Sequence, residues 1–121
     1  MNMDYDPLSE VIDKSLTISK KTIEQLSAYK AADKFIDLPG EDTQKEKERL
    51  TALINSLVSR LITGIAENPS KLWVMGEFQP TLEIANDEDT EGREHFAEQL
   101  AKIMDILEIE SSDGLLGFYL E

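Results

Sequence analysis

The acidic segment NDEDTEGREHFAE, residues 86–98, comes closest in this sequence to the pattern of a known chemical site. Counted from Asp87, carboxylate side chains occupy the first, third, fifth and twelfth positions, and a glycine occupies the sixth. In an EF-hand loop, Ca²⁺ needs hard oxygen ligands at nearly this spacing, around a turn that glycine permits. The candidate calcium ligands are Asp87, Asp89, Glu91 and Glu98, with Gly92 at the turn.

Two features of this segment disagree with a calcium loop. Its fifth position is Glu91, where the shorter Asp or Asn is usual. No amphipathic helix is predicted to lead into the segment, because Pro80 and the alternation of Leu82 with Ile84 favour an extended chain there. A calcium-binding module that uses residues 87–98 therefore remains the alternative interpretation.

The same segment also has the composition of a helix start. Acidic side chains in a first turn meet unpaired backbone N–H groups and the positive end of the helix dipole. Asp87, Asp89 or Thr90 would cap the helix, and Glu91 would lie in its first turn. This interpretation explains where the acidic run begins, but not why it continues along the helix.

Four acidic residues fall on one face of the helix predicted from about Thr90 to Leu107. At about 100° per residue they lie within roughly 60° of one another and nearly opposite the apolar stripe. We call these residues the acidic ridge: Glu91, Glu94, Glu98 and Asp105. Like charges three or four residues apart destabilise a helix by roughly 0.2–0.5 kcal/mol per pair. A basic partner would remove this cost, whereas a merely solvated face would retain it, and both interpretations stay open.

The charge of the chain favours a basic partner over a nucleic acid. Twelve Lys and Arg stand against 25 Asp and Glu, which gives a net charge of −13. Residues 68–121 carry 13 acidic and 3 basic side chains, a net charge of −10. Such a field repels phosphate backbones and speeds encounter with a cationic protein. An acidic surface also keeps many small proteins soluble.

Catalytic residue patterns are poorly represented. The chain has no cysteine and one histidine, His95, which flanks the apolar stripe of its predicted helix. The tetrapeptide Ser111-Ser112-Asp113-Gly114 is typical of a helix cap followed by a turn. The glycines form no phosphate-binding pattern. We therefore expect a protein that is not an enzyme and carries no cofactor or metal.

Length and composition predict one domain over residues 1–121 in a cytoplasmic protein. An apolar fraction of 40% with 31% charged residues is typical of globular proteins. The acidic N-terminus is unlike a signal peptide, and no segment approaches the roughly 20 apolar residues of a membrane span. The absence of cysteine fits a reducing compartment.

The periodicity predicts a mainly α fold: a compact bundle of four to five helices around a central amphipathic helix at about 43–67. Apolar residues repeat there at three and four residues from Leu50 to Ile65, after a possible capping box formed by Thr43 and Glu46. Pro39-Gly40 would end the element before it.

The other predicted elements surround this central helix. They are a helix beginning at Asp6-Pro7, a second over residues 19–36, a short helix after Asn68-Pro69, an extended connector near 80–85, the helix from Thr90 to Leu107, and a final turn capped by Ser111-Ser112. The second helix has Ile23, Leu26, Tyr29 and Ile36 on its stripe, and the Thr90–Leu107 helix buries Phe96, Leu100, Ile103, Met104 and Leu107.

Several short motifs resemble those of a known family. They are DTEGRE at Asp89–Glu94, IMDIL at Ile103–Leu107, IESSDGLL at Ile109–Leu116, and KFIDLPG at Lys34–Gly40. The sequence is similar to a family of small bacterial proteins known only as a domain of unknown function. The resemblance implies no established activity, but small acidic bacterial proteins of this kind often serve as immunity proteins paired with secreted toxins. The expected function is thus to bind and neutralise a basic toxin, such as a nuclease, through the acidic ridge together with Asp87 and Asp89.

Overall fold

A computed structural model describes residues 5–36 and 43–121 of the protein. Within these ranges it contains a single 3-10 turn at Pro7–Glu10, five α-helices and no β-strand. The helices are α1 (Lys20–Ala31), α2 (Thr43–Gly64), α3 (Lys71–Ala85), α4 (Thr90–Ile106) and α5 (Leu115–Leu120). Helix α2 contacts α1, α3 and α4, so the predicted mainly α bundle around a central helix is confirmed.

Helix α2 forms the centre of the core because its apolar residues recur on one face. Leu50, Ile54, Leu57, Leu61 and Ile65 are all completely buried. The helix ends at Gly64, three residues before the predicted end at residue 67. A side chain at Gly64 is excluded, since a Cβ there would lie 2.7 Å from the Trp73 ring.

Two sequence predictions before α2 fall outside the described residues. The proposed stop at Pro39-Gly40 lies in the range 37–42. The proposed capping box with Glu46 depends on the Thr43 side chain, which also lies outside the description.

The predicted extended connector at residues 80–85 is wrong, because α3 continues through Pro80 to Ala85. Proline has no N–H, so a helix that contains it loses one backbone hydrogen bond. Arg60 of α2 supports the helix at this point. Its guanidinium donates to the Glu77 carbonyl oxygen and the Thr81 hydroxyl, each at 3.1 Å, and to Oε1 of Glu77 at 3.1 Å.

Burial in α3 also follows a helical spacing rather than the alternation of a strand. Phe78, Leu82 and Ala85 are completely buried, whereas Ile84 is 52% exposed. In a strand, Leu82 and Ile84 would share a face. The alternation seen in the sequence therefore did not indicate a strand.

The predicted first helix is wrong beyond its first turn. Asp6 does cap that turn, with its carboxylate accepting the N–H of Leu8 at 3.0 Å. From Val11 to Ser19 the chain is then non-helical and lies against the start of α3. The N–H of Leu16 donates to the Pro69 carbonyl at 2.8 Å, and the N–H of Lys71 donates to the Lys14 carbonyl at 2.9 Å. We call residues 11–18 the N-terminal strap.

The second helix is confirmed but is shorter than predicted. Ser19 caps α1 in a reciprocal capping box with Thr22, and the helix ends at Ala31. Leu26 is buried, whereas Ile36 lies beyond the helix and is 70% exposed, so its place on the apolar stripe is wrong. The Tyr29 hydroxyl fastens α1 to α4 by donating to Oε1 of Gln99 at 2.6 Å.

Helix α4 agrees closely with its prediction. Asp89 is the N-cap, and its carboxylate accepts the N–H of Gly92 at 2.8 Å. The five residues of the predicted buried face are all buried: Phe96, Leu100, Ile103, Met104 and Leu107.

The C-terminus of α4 ends in a Schellman motif with an unusual residue at its turn. The N–H of Ile109 donates to the Met104 carbonyl at 2.9 Å, and that of Glu108 donates to the Asp105 carbonyl at 3.1 Å. Glu108 has a φ of 58°, a left-handed conformation in which glycine is usual. The helix end is therefore well bonded but conformationally strained at one position.

The predicted cap of the final turn is present only in part, because the N-cap of α5 is Gly114, which makes no side-chain cap hydrogen bond, and Ser112 lies two residues before it. The Ser112 hydroxyl accepts the N–H of Leu116 at 3.2 Å, and its carbonyl accepts the N–H of Leu115 at 3.1 Å. The chain enters α5 through Gly114, which has a φ of 91°.

Replacing Leu57 by Asp should prevent folding, because a completely buried side chain would become an unpaired charge. Circular dichroism should show no cooperative thermal transition. Ala52→Asp, at an exposed position of the same helix, is the control and should still melt cooperatively. A soluble Leu57→Asp protein that melts cooperatively would show that the core is misplaced.

Replacing Glu108 by Gly should raise the free energy of unfolding by about 0.5–1 kcal/mol. Glycine adopts a left-handed φ without the steric cost that a side chain has there. The greater conformational entropy of glycine in the unfolded chain offsets part of that gain. Urea denaturation measures the change. Glu110→Gly removes the same charge two residues away and should give no such gain, so equal gains in both variants would assign the effect to charge.

Candidate interaction surface

The structure places all six predicted partner-binding residues at the surface. The acidic ridge lies along α4, and Asp87 and Asp89 lie in the turn that precedes it; each of these residues is exposed. His95 lies between two members of the ridge, with Nε2 at 3.9 Å from Oε1 of Glu91 and Nδ1 at 4.0 Å from Oε2 of Glu98. The ridge is thus a continuous feature of one helix face.

The conformation of residues 87–98 is that of a helix start rather than a calcium loop. From Thr90 onward these residues are helical, and a carboxylate oxygen of Asp89 is occupied by the cap. Glu98 lies roughly 13 Å from Asp89 along the helix axis, too far to share an ion bound at 2.3–2.6 Å. Among the described residues, no group of three or more His, Cys, Asp or Glu could hold a metal ion.

Lys102 belongs to the same face and was missed in the sequence analysis. It is exposed, four residues after Glu98 and three before Asp105. At these spacings opposite charges attract. The stretch from Glu91 to Glu98 is therefore the strongly acidic part of the ridge, whereas the part near Asp105 is mixed. The helical spacing that revealed the acids could also have revealed Lys102.

The remaining cations of the C-terminal half are used inside the fold. Lys71 is almost buried, and its ammonium donates to the Asp113 carboxylate at 2.6 Å. Arg93 donates to the carbonyl oxygens of Glu88 at 2.7 Å and Leu120 at 3.4 Å. Of the three basic residues in 68–121, Lys102 is exposed, Arg93 is half-buried and Lys71 is buried. The acidic charge of the ridge is largely uncompensated by its own half of the chain.

Glu88, which lies beside the acidic ridge in sequence, forms an ion pair with a residue of the N-terminal half. Arg49 of α2 binds Glu88 with both terminal nitrogens, at 2.8 and 2.9 Å. This two-point contact fixes the turn that leads into α4 against the central helix. Among the described residues, no arginine or lysine forms an ion pair with a carboxylate of the acidic ridge.

A second polar cluster holds the N-terminal strap, and sequence reasoning did not find it. The Asp113 carboxylate accepts the N–H of Ile12 at 2.8 Å as well as the Lys71 ammonium. The Asp13 carboxylate accepts the Ser70 hydroxyl at 3.0 Å and the N–H of Leu72 at 2.9 Å. Asp13 of the strap and Asp113 beyond it therefore act as two clamps, each of which fastens the strap to the helical body.

These bonds lower the pKa of both clamp carboxylates. The hydrogen bond from Lys71, followed by that from the Ile12 N–H, lowers the pKa of Asp113 below its ordinary value of 3.8. The N–H of Leu72 and the hydroxyl of Ser70 lower the pKa of Asp13 in the same way. Both groups thus favour the charged form in the folded protein.

A small cleft of about 250 Å³ borders the strap, and Lys71, Ser111 and Asp113 are among its lining residues. The Ser111 hydroxyl accepts the N–H of Asp113 at 3.0 Å, which confirms a turn at this position. Within this cleft, Lys71 and Asp113 bind each other, and Asp113 also binds the strap.

A wider cavity of about 650 Å³ lies between the end of α1 and the first half of α2. Lys34 lines it, but its ammonium donates to the carbonyls of Tyr29, Lys30 and Ala32 at 2.7–3.0 Å. Burial lowers the pKa of Lys34. This lysine therefore completes the end of α1.

In the part of the chain that the structure describes, no helix is both long and apolar enough to cross a membrane.

The sequence of the chain matches a protein-family model over most of its length. A family model described as domain of unknown function (DUF4844) matches residues 17–121. The chain belongs to this family. The resemblance read from the sequence is confirmed at that level, while the assignment of the individual motifs to the family remains a prediction. The first 16 residues precede the matched region, so most of the N-terminal strap lies outside it. No curated protein and no solved structure matches the chain.

The clamps predict how stability depends on pH. A carboxylate whose pKa is lower in the folded than in the unfolded protein stabilises the fold above the unfolded pKa, and this contribution is lost as pH falls through the folded pKa. The urea midpoint should therefore fall below about pH 4, and Asp113→Asn should reduce that pH dependence and lower the midpoint at pH 7. Asp105→Asn removes the same charge from an exposed site as a control. Identical pH profiles for both variants would contradict a clamp at Asp113.

Proposed function

We propose that this protein binds a basic protein partner through the acidic ridge, and that it is a bacterial immunity protein that neutralises a toxin, such as a nuclease. One observation supports this proposal above the others. Lys71 binds Asp113 and Arg93 binds the Glu88 carbonyl, so neither pairs with the ridge. Glu91, Glu94 and Glu98 are exposed in a half of the chain with a net charge of −10.

An acidic ridge of this kind is suited to rapid capture of a cationic surface. Complementary charges raise association rates, and the effect falls as salt shortens the Debye length from about 30 Å at 0.01 M to about 8 Å at 0.15 M. A standard interface buries about 800 Å² on each partner. From Glu91 to Asp105 the ridge extends roughly 21 Å along the helix axis, so it fits within an interface of that area.

Binding would neutralise a toxin whose substrate is held by the same lysine and arginine side chains that contact the acidic ridge. A nuclease needs lysine and arginine side chains to hold phosphates. An acidic helix placed over those side chains would exclude the nucleic acid, so the protein would need no catalysis, cofactor or metal. The proposal places the protein in the cytoplasm, where the absence of cysteine fits a reducing environment. It includes no binding of nucleic acid or membrane.

Replacing Glu94 and Glu98 together by Gln should weaken the complex at least tenfold and leave the fold intact. Both side chains are exposed, and their removal relieves repulsion within α4. The partner is to be captured from the protein's own cells at 0.05 M salt, and its association rate and Kd measured from 0.05 to 0.5 M salt. Association of the unmodified protein should slow steeply over this range.

The matched control is Glu24→Gln with Glu48→Gln, which removes two exposed charges from α1 and α2. This control should bind nearly as well as the unmodified protein. The captured protein should be basic, should arrest growth when expressed alone, and should be harmless when co-expressed with this chain. A partner that tolerates the ridge substitutions and ignores salt, or toxicity that co-expression does not relieve, would contradict the proposal.

A further inference from the structure

Two aromatic rings from opposite ends of the chain meet at the surface. Tyr5 and Phe118 have centroids 5.6 Å apart and ring planes inclined by 54°. They are 58% and 52% exposed. Phe118 also makes an edge contact with Tyr119, at a centroid distance of 4.9 Å. We call Tyr5 and Phe118 the aromatic pair.

The core does not require these rings to be aromatic. Helix α5 anchors itself through Leu115, Tyr119 and Leu120, which are buried. Phe118 lies on the outer face of the same helix, where a polar residue would avoid exposing apolar surface. Exposed aromatic side chains are typical of the residues that carry binding energy in protein interfaces.

A carboxylate residue lies close to each ring along the chain. Asp6 follows Tyr5 directly, and its Oδ1 is held by the side-chain amide of Gln79 at 2.7 Å. Glu121 lies three residues after Phe118, and its carboxylate folds back over α5, 3.5 Å from the place where a Cβ on Gly117 would lie. Each ring therefore belongs to a segment that also carries a carboxylate within three residues.

This combination selects one kind of occupant. The faces of aromatic rings attract cations, and arginine is the cation that pairs with them most often. A purely apolar partner would have to desolvate the neighbouring carboxylates without compensation, and a phosphate would be repelled by them. An arginine or lysine side chain satisfies the rings and the carboxylates together.

We propose that the aromatic pair, with Asp6 and Glu121, binds an arginine or lysine side chain of a basic protein partner. We call this site the aromatic anchor, or the anchor. The identity of its partner as a basic protein rests on the function proposed above, but the anchor is distinct from the acidic ridge. The Arg93 guanidinium, at 3.4 Å from the Leu120 carbonyl, holds the end of α5 beside the first turns of α4.

The test uses the full chain and a defined probe, the peptide acetyl-Arg-Gly-Arg-Gly-Arg-amide, at 0.15 M salt. NMR titration should shift the ring resonances of Tyr5 and Phe118. Phe118→Leu, which keeps an apolar side chain but removes the ring, should weaken binding about two- to fivefold, as should Tyr5→Leu. Tyr5→Phe retains the ring and Ile84→Ala alters another exposed apolar residue, so neither should change the affinity.

The outcomes separate this anchor from the proposed function. Peptide binding that depends on Phe118 but tolerates Glu94→Gln with Glu98→Gln supports the anchor and counts against the ridge. Binding that depends on the two glutamates and leaves the rings unshifted overturns the anchor and leaves the ridge in place. Shifts of the rings by a glutamate-for-arginine peptide, or by a leucine-for-arginine peptide to the same extent, would also overturn the anchor. Absence of binding by the arginine peptide overturns it outright.

Discussion

Burial of the apolar face of α2 is the interaction on which the rest of this structure depends. Isolated helices shorter than about 12–15 residues are marginal in water, and α5 has only 6 residues and α1 only 12. These elements gain their stability by packing, directly or through α3 and α4, against the side of α2 that contains Leu57 and Leu61. The central helix therefore determines where the shorter helices can lie, and through them where the surface charges point.

The same packing determines which basic side chains form bonds within the fold. The fold uses Lys71 to hold Asp113 and the N-terminal strap, and Arg93 to join α4 to α5. Arg60 stabilises the proline-containing turn of α3. Each of these cations is taken from a surface that already has an excess of acids. Of these three cations only Arg93 belongs to α4, and its guanidinium binds the Glu88 and Leu120 carbonyls rather than a carboxylate of the ridge.

The acidic ridge and the aromatic pair would contribute differently to a complex. Exposed charges act mainly on the rate of encounter, whereas a ring and a cation that lose water on contact act on the lifetime. Arg93 links the two helices that carry these surfaces, because its guanidinium donates to the Leu120 carbonyl. For a partner that contacts both surfaces, the ridge would speed capture and the aromatic pair would slow release.

The sequence by itself determined the elements whose signals are local. The stripe of α2, the buried face of α4 and the exposure of the acidic ridge all follow from spacing within one segment, and Lys102 was available from the same spacing. The start of α4 was predicted as well, but Asp87, Asp89 and Thr90 were alternative caps, and the structure identifies Asp89. Only the tertiary structure decided the path through Pro80, the extended strap and the aromatic pair. Arg60 reaches Thr81 from 21 residues away, Asp113 bonds Ile12 across 101 residues, and Tyr5 meets Phe118 from the other end of the chain. Local propensity is overridden at such places, because the hydrogen bonds and ring contacts that decide the conformation come from partners that no short window of sequence contains.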